Sequence, residues 1–470
     1  MARRARTILL LALVSTTASA QETIDDNDYE IDAIATPVLA SNRIVGLAGA
    51  YTSLAEGVDG VPFNPAGYAA RSAWELDRIE WEITGSILFP GSFSDADFFN
   101  NGEGVGFGIE SFIFFGVGAR LQFNDIGFGA LLNWQIYDTN TVGTSVQFLN
   151  INVGAGYGLL DGQLVLGLGG RVVNMSITQD DVPIIEFTGA GAEIGALLRL
   201  ADTPFRIGLA ARTPVNSTVL PDETGAAPRA VEGFTLPRAV YLPWEVQAGF
   251  SFQVGPRPFN RRHIRIKKVE AAYNDAYLAE RCEREREQVL REFQARGETA
   301  PELRCPDLAV RAQDREWRRA EQLRRRELQD EADEAADRAE DDLYDLWEEL
   351  YESMPRRYFL VSVDLLLQGP TDDGVGVDAF LSQQRRPRGA DWQVGFRVGI
   401  EGEPWENRLK VRAGSYVEPG RYVGVDPRIH GTFGFDLRLF ELLNINWRAG
   451  FTIDGARDYV SWGFTFGVWH

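Results

Sequence analysis

Downstream of residue 20 the chain has no stretch of eighteen consecutive apolar residues, so no segment can cross a bilayer as a helix, and a membrane location would require a closed barrel. Histidine is scarce: His263, His430 and His470 are too scattered to build a metal site or a triad with any recognisable neighbour. No G-x-S-x-G elbow occurs either. The chain is therefore not expected to be an enzyme, and neither a metal nor another cofactor is expected. Positive charge is in deficit, with 47 Lys and Arg against 68 Asp and Glu and a net charge of -21. Phosphate binding needs a basic face, which excludes nucleic acid as a partner. The acidic residues Asp180, Asp181, Asp222 and Glu223 lack the spacing of a calcium loop. The glycine-rich runs 104–108 and 167–170 lie inside alternating segments and do not open helices, so small inward side chains explain them better than phosphate loops.

What is present is alternation. In the stretch Asp458 to His470, Val460, Trp462, Phe464, Phe466 and Val468 share one parity, and Tyr459, Ser461, Gly463, Thr465 and Gly467 the other. A strand sends successive side chains to opposite faces, so this one has an apolar, aromatic face and a small, polar one, as expected where lipid lies outside and a lumen inside. Similar segments span approximately 77–88, 105–118, 126–137, 145–158, 163–175, 187–199, 204–213, 243–254, 358–368, 391–401, 408–416, 431–439, 444–453 and 459–469. The pattern predicts an all-β transmembrane barrel of about fourteen antiparallel strands, an even number as single-chain bacterial barrels require. Connections alternate long (Ser92–Gly104, Asn174–Pro183, Thr213–Leu242, Gly369–Ala390, Glu418–His430) and short (Leu159–Gln163, Leu200–Thr203, Gly402–Asn407, Phe440–Leu443), the asymmetry expected between outer and periplasmic faces. Glu245, Asp364, Arg397, Lys410, Arg412, Asp436, Arg438 and Arg448 fall on the parity opposite the aromatics, which predicts a wet or ion-paired lumen.

The ends and one insertion depart from this pattern. Residues 1–20 combine Arg3, Arg4 and Arg6, a short apolar run and Ala18-Ser19-Ala20, the makings of a cleaved export signal. An acidic leader to Pro37, expected to be mobile, precedes a Gly-punctuated segment ending in Asn64-Pro65-Ala66-Gly67. Residues 21–76 thus form leader and plug, 77–260 strands one to eight, 261–356 an insertion, and 357–470 strands nine to fourteen. The insertion is charged and helix-forming, broken by Gly297, Pro301 and Pro306, and reads as an α-helical hairpin. Leu328, Ala332, Ala335, Ala339, Leu343, Leu346 and Leu350 make a coiled-coil-like stripe. Its longer helix would extend roughly 70 Å and is expected to project into the periplasm, where it offers a surface for a protein partner. Cys282 and Cys305 both lie in it. In an exported chain an even pair reads as a disulfide, and Cys282, roughly 21 Å down the first helix, is within reach of an extended return to Cys305.

The runs Ala48-Gly49-Ala50-Tyr51-Thr52-Ser53-Leu54-Ala55-Glu56-Gly57 and Phe63-Asn64-Pro65-Ala66-Gly67-Tyr68-Ala69 resemble the N-terminal signature of the FadL/TodX family of outer-membrane channels for hydrophobic compounds and of the related PorV-like barrels. Val398-Gly399-Ile400-Glu401 and Leu409 to Tyr416 resemble the family's G-x-E and R-A-G-Y strands. The resemblance covers most of the chain outside residues 260 to 356. It implies a plug in the barrel mouth, with Asn64, Pro65, Ala66 and Gly67 at its turn as gate candidates, in the outer membrane of a Gram-negative-type bacterium. The function it implies is passive movement of a hydrophobic small molecule. The insertion lies outside the family pattern and favours the alternative, an outer-membrane scaffold whose periplasmic arm recruits a protein partner.

Overall fold

The computed structural model describes residues 22–73, 79–90, 97–102, 109–139, 143–180, 182–219, 229–260, 349–442 and 445–468, with scattered positions between 279 and 347. Fourteen strands form its wall. They are β1 Ile79–Pro90, β2 Ile109–Phe123, β3 Ile126–Thr139, β4 Thr144–Leu159, β5 Leu164–Gln179, β6 Val182–Leu198, β7 Phe205–Arg212, β8 Glu245–Val254, β9 Phe359–Gln368, β10 Gln393–Trp405, β11 Leu409–Glu418, β12 Arg428–Leu442, β13 Ile445–Ala456 and β14 Tyr459–Val468. Each pairs antiparallel with its neighbours in sequence, and β14 returns to β1 through Ser86–Pro90 against Thr465–Ser461, closing the cylinder.

Alternation decides which face is which. Phe464 and Phe466 of β14 are 48% and 55% exposed, while Ser461 and Gly463 on the opposite parity are buried. Trp81 and Ile83 of β1, Phe128 of β3, Leu168 of β5, Phe250 of β8 and Phe396 of β10 carry the exposed apolar face around the wall. Water-soluble domains rarely expose contiguous apolar patches beyond a few hundred Å², so an apolar girdle of this kind is a lipid-facing surface. Among the described residues no helix is long and apolar enough to cross a membrane, which says nothing of a β-barrel.

The two mouths differ. One carries the long connections 91–108, 213–244, 369–392 and 419–427, the other the short turns 124–125, 160–163, 199–204 and 406–408. Left-handed Asn124 and Asn407 (φ 48° and 55°) let two of the short turns reverse tightly. The region 174–183, expected as a long outer connection, is instead strand except at 180–181: β5 and β6 both run on past the apolar core of the pattern.

The acidic leader is not loose. Glu30–Asp32 forms a strand parallel to both Ala239–Leu242 and Gly374–Gly376, in a four-stranded sheet over the long-loop mouth completed by Val215–Thr218. Tyr29, Ile31 and Asp32 are fully buried there. Asp32 escapes the cost of burying a charge by accepting from Arg421 (2.8 Å), and its backbone carbonyl accepts from Arg388 (2.9 Å). From this mouth the chain descends through the lumen to residue 73, then enters the wall.

The insertion is described only in part. Positions in 279–295 and 323–353 that are described are helical. The expected hairpin pairing, its direction and its stripe apart from Leu346 and Leu350 lie outside the described residues, as do the export signal, Cys305 and its expected link to Cys282, Asp181, Asp222, Glu223 and His470.

Candidate functional site

The lumen is occupied by residues 38–73, which the sequence makes neither long helix nor strand. A five-residue helix, Asn42–Gly46, is followed by turns and by two 3-10 turns, Val58–Gly60 and Pro65–Tyr68. Glycine and proline at short intervals keep this backbone folded on itself, and it rests directly on the wall where the strands carry glycine. A Cβ on Gly399 of β10 would stand 2.5 Å from the carbonyl oxygen of Leu47. Methyl groups on Gly167, Gly195 and Gly208 would overlap Pro65, Asn64 and Thr52. The wall glycines are therefore the seat of the N-terminal segment.

Polar groups fix the segment in that seat. Asn64 caps the turn Pro65–Tyr68 by accepting from the Ala66 amide (3.0 Å), and its own amide donates to the carbonyls of Thr52 (2.9 Å) and of Ala196 in the wall (3.0 Å). Pro65, Ala66 and Gly67 are buried behind it. Asp364 of β9 accepts from the backbone amides of Tyr51 and Thr52, both at 2.8 Å. Arg397 of β10 donates to the Gly49 carbonyl (3.3 Å) and lies over the Phe63 ring.

The lower part of the lumen, toward the short-turn mouth, holds paired charges. Arg412 joins Glu401 to Asp436 (2.7 Å to the latter), and Arg448 reaches Asp436 at 2.5 Å. A second group sits higher, where three strands meet the long connections: Glu245 is 3.7 Å from both Arg171 and Arg212 and accepts from Gln368 (2.8 Å). Arg438 stands apart: at a bulge near the short-turn mouth it pairs with Glu441 (3.6 Å). Lys410 lines the cavity shared by this network. Sequence reasoning passed over several members, namely Arg43, Glu56, Glu80, Glu82, Arg120, Glu193 and Arg206. Parity would have found those on strands; Arg43 and Glu56 belong to the segment, where no period applies. Burial opposes the charge of Arg43, but the two oxygens of Glu401 beside it hold its guanidinium above the ordinary value. Burial pushes the Tyr51 hydroxyl up to about 12 and raises the Asp59 carboxyl.

The expectation of a polar lumen fails on one side of the other half; on the opposite side it holds, with His430 buried between Asp454 (2.8 Å) and Glu418 (2.7 Å) and Arg428 on Glu418 (2.7 Å). Toward the long-loop mouth, Phe112, Tyr137, Val146, Met175 and Phe187 point inward and are buried with Phe98, Phe99, Phe234 and Phe380 from the mouth loops and with Tyr29 and Ile31 of the leader. Phe98 and Phe112 meet edge to face with centroids 4.6 Å apart. The physical reason is that the loops fold back as a lid: inward side chains there face protein, and a dry interior selects apolar groups. A cavity of about 30 Å³ opens between this cluster and Ala33, Ile34 and Ala35, with Arg388 at its edge.

A closed fourteen-stranded cylinder, apolar outside and filled by its own N-terminal segment, is a membrane-spanning β-barrel with an occupied lumen. No family model and no curated protein matches the sequence. Among solved structures, the chain is similar to a FadL homologue of Pseudomonas aeruginosa, at 10% identity over 92% of this chain and 98% of that one, TM-score 0.48. It is also similar to the CymD monoaromatic hydrocarbon channel (8% identity, 91% and 96% covered, TM-score 0.48) and to the toluene transporter TodX of Pseudomonas putida (9%, 94% and 99%, TM-score 0.43).

Proposed function

We propose that the protein is a passive outer-membrane channel for hydrophobic small molecules, with residues 38–73 as its plug. The observation that carries this reading is the buried aromatic cluster between the mouth loops and Ala33–Ala35, whose gap of about 30 Å³ would have to widen to admit a solute. An apolar solute gains free energy on entering it in proportion to the area it buries. Passage beyond it requires the plug to leave its glycine seat, and Asn64, Pro65, Ala66 and Gly67, which hold the plug's lower turn to β5 and β6, are the gate residues of this reading. Uptake of labelled aromatic and long-chain compounds into cells with and without the gene tests it; equal uptake would refute it.

The scaffold reading has one observation in its favour: Leu323, Leu346 and Leu350, on helical positions of the insertion, are exposed. In that reading residues 261–356 form a periplasmic arm that recruits a protein. Deleting residues 265–353 and comparing co-purifying proteins tests it, and an unchanged set counts against it.

A further inference from the structure

The two ends of the insertion meet the N-terminal segment at two separate, buried side chains of the wall. At the leaving end, Arg206 of β7 donates to Glu56 of the segment at 2.5 Å and, through Nε, to Asn260 at 2.8 Å. It also donates to the Phe259 carbonyl and lies 4.0 Å from the centre of the Phe259 ring. Asn260 in turn donates to the carbonyls of Leu200 (3.0 Å), Thr203 (2.9 Å) and Phe205 (2.9 Å), so the leaving end is pinned to the β6–β7 turn.

At the returning end the bridging group is Glu401 of β10. Its two oxygens accept from Arg43 of the segment at 3.0 and 2.8 Å, and one of them also accepts from the Tyr358 hydroxyl at 2.8 Å. The residues just before Tyr358 are tied to the neighbouring turn, Arg356 to Glu403 (3.3 Å) and Arg357 to Glu406 (2.7 Å). Tyr351, at the end of the insertion's helical residues, lies under Arg257 at 4.0 Å. The segment's Arg43 and Glu56, Phe259 before the insertion, Tyr351 within it and Tyr358 after it all line one cavity of about 160 Å³.

Arg206 therefore holds both the segment and the residues just before the insertion, and Glu401 both the segment and the residue Tyr358 just after it. Hydrogen bonds to charged groups inside a protein are strong and directional, so an end that shifts takes the shared side chain with it or leaves it unpaired. We propose that the insertion and the N-terminal segment are one coupled unit. A partner or load that displaces residues 257–260 or 351–358 loosens the hold on Arg43 and Glu56 and releases the lower half of the segment from the wall. Thermodynamic reciprocity requires the converse: freeing the segment loosens both ends of the insertion. The coupling rests on contacts alone; its consequence for passage rests on the channel reading above.

Hydrogen exchange of the full-length protein in lipid vesicles tests the coupling. Tyr358→Phe should speed exchange of the amides of residues 43–52 by roughly tenfold to a hundredfold, the factor for losing one hydrogen bond to a charged group. Asn260→Ala should do the same for residues 53–60, and Arg43→Gln should speed exchange at residues 354–358. Arg357→Ala, which removes an exposed ion pair at the same end, should change none of these. Wild-type rates for the segment in Tyr358→Phe together with wild-type rates for the insertion's ends in Arg43→Gln would overturn the proposal, whether or not Asn260→Ala folds. Faster exchange with unaltered solute uptake would leave the coupling standing and remove the channel reading instead.

Discussion

Replacing Gly399 by alanine is the sharpest probe of the glycine seat. The added methyl would lie 2.5 Å from the Leu47 oxygen, 2.9 Å from its Cα and 3.0 Å from its carbonyl carbon, all backbone atoms without a rotamer to escape into. Ordinary contact begins near 3.4 Å, so the segment would have to lift by roughly 1 Å, an overpacking change that typically costs about 1–3 kcal/mol. A lift of that size at Leu47 also strains the Arg43 to Glu401 contacts, now 2.8 and 3.0 Å. At about 1.4 kcal/mol per factor of ten, amides of residues 45–52 should exchange roughly five- to 150-fold faster, with the β10 ladder unchanged. Gly395→Ala is the control. It lies on the same strand and the same face, but its methyl would meet only Leu366 at 3.4 and 3.5 Å and the Val417 oxygen at 3.7 Å, and it should exchange like the wild type. If the two variants cannot be told apart, the segment is not seated flush on the wall.

Asp364→Ala strips the acceptor from the Tyr51 and Thr52 amides and should cost the segment about 3 kcal/mol, seen as lost exchange protection at those two residues; retained protection would contradict the contact. Because burial raises the Asp59 carboxyl, the fold favours its protonated form. Its stabilising contribution is then full below the ordinary carboxylate range and is lost as pH rises through the raised value. Asp59→Asn should accordingly flatten the pH dependence of segment protection above the ordinary carboxylate range relative to wild type, and parallel profiles would refute this. Phe464→Arg places a charge on the lipid face and should destabilise the barrel by about 2–4 kcal/mol in denaturant titrations from vesicles, where Thr465→Ser should be near neutral; equal midpoints would mean that no lipid touches this face. A Cys282–Cys305 bond, worth about 3 kcal/mol by loop-closure arithmetic, should leave neither thiol alkylated in unreduced protein by mass spectrometry, and two alkylated thiols would end that idea.

The wall was legible because its rule is strict. A one-residue error in parity would put Asp436 into lipid and Phe435 into the lumen, so the period of two is written into every strand, and all fourteen expected segments overlap the observed strands. The loop side was harder to read. Phe112 and Tyr137 point inward against the expected polarity because residues such as Phe98, Phe234 and Phe380 fold over them, and nothing local to β2 or β3 announces that cover. The leader misled for a related reason: its acidic residues read as solvent-loving, yet Asp32 is matched by Arg388 and Arg421, more than 350 positions away. Glycine in the strands carried a signal that was read only as small size. Its particular use, allowing the backbone of residues 47–65 to touch the wall, depends on a second stretch of chain that sequence periodicity does not place.

The strand Glu30–Asp32 has a bearing on biogenesis. It lies between Ala239–Leu242 and Gly374–Gly376, stretches the ribosome delivers long after it. This strand must therefore wait for about half of the polypeptide before its first edge can pair and for most of it before its second can, and such distant pairings are slow. Capping of this mouth is thus completed late in maturation, and a truncated chain lacking its last hundred residues would leave its own beginning fastened along one edge only.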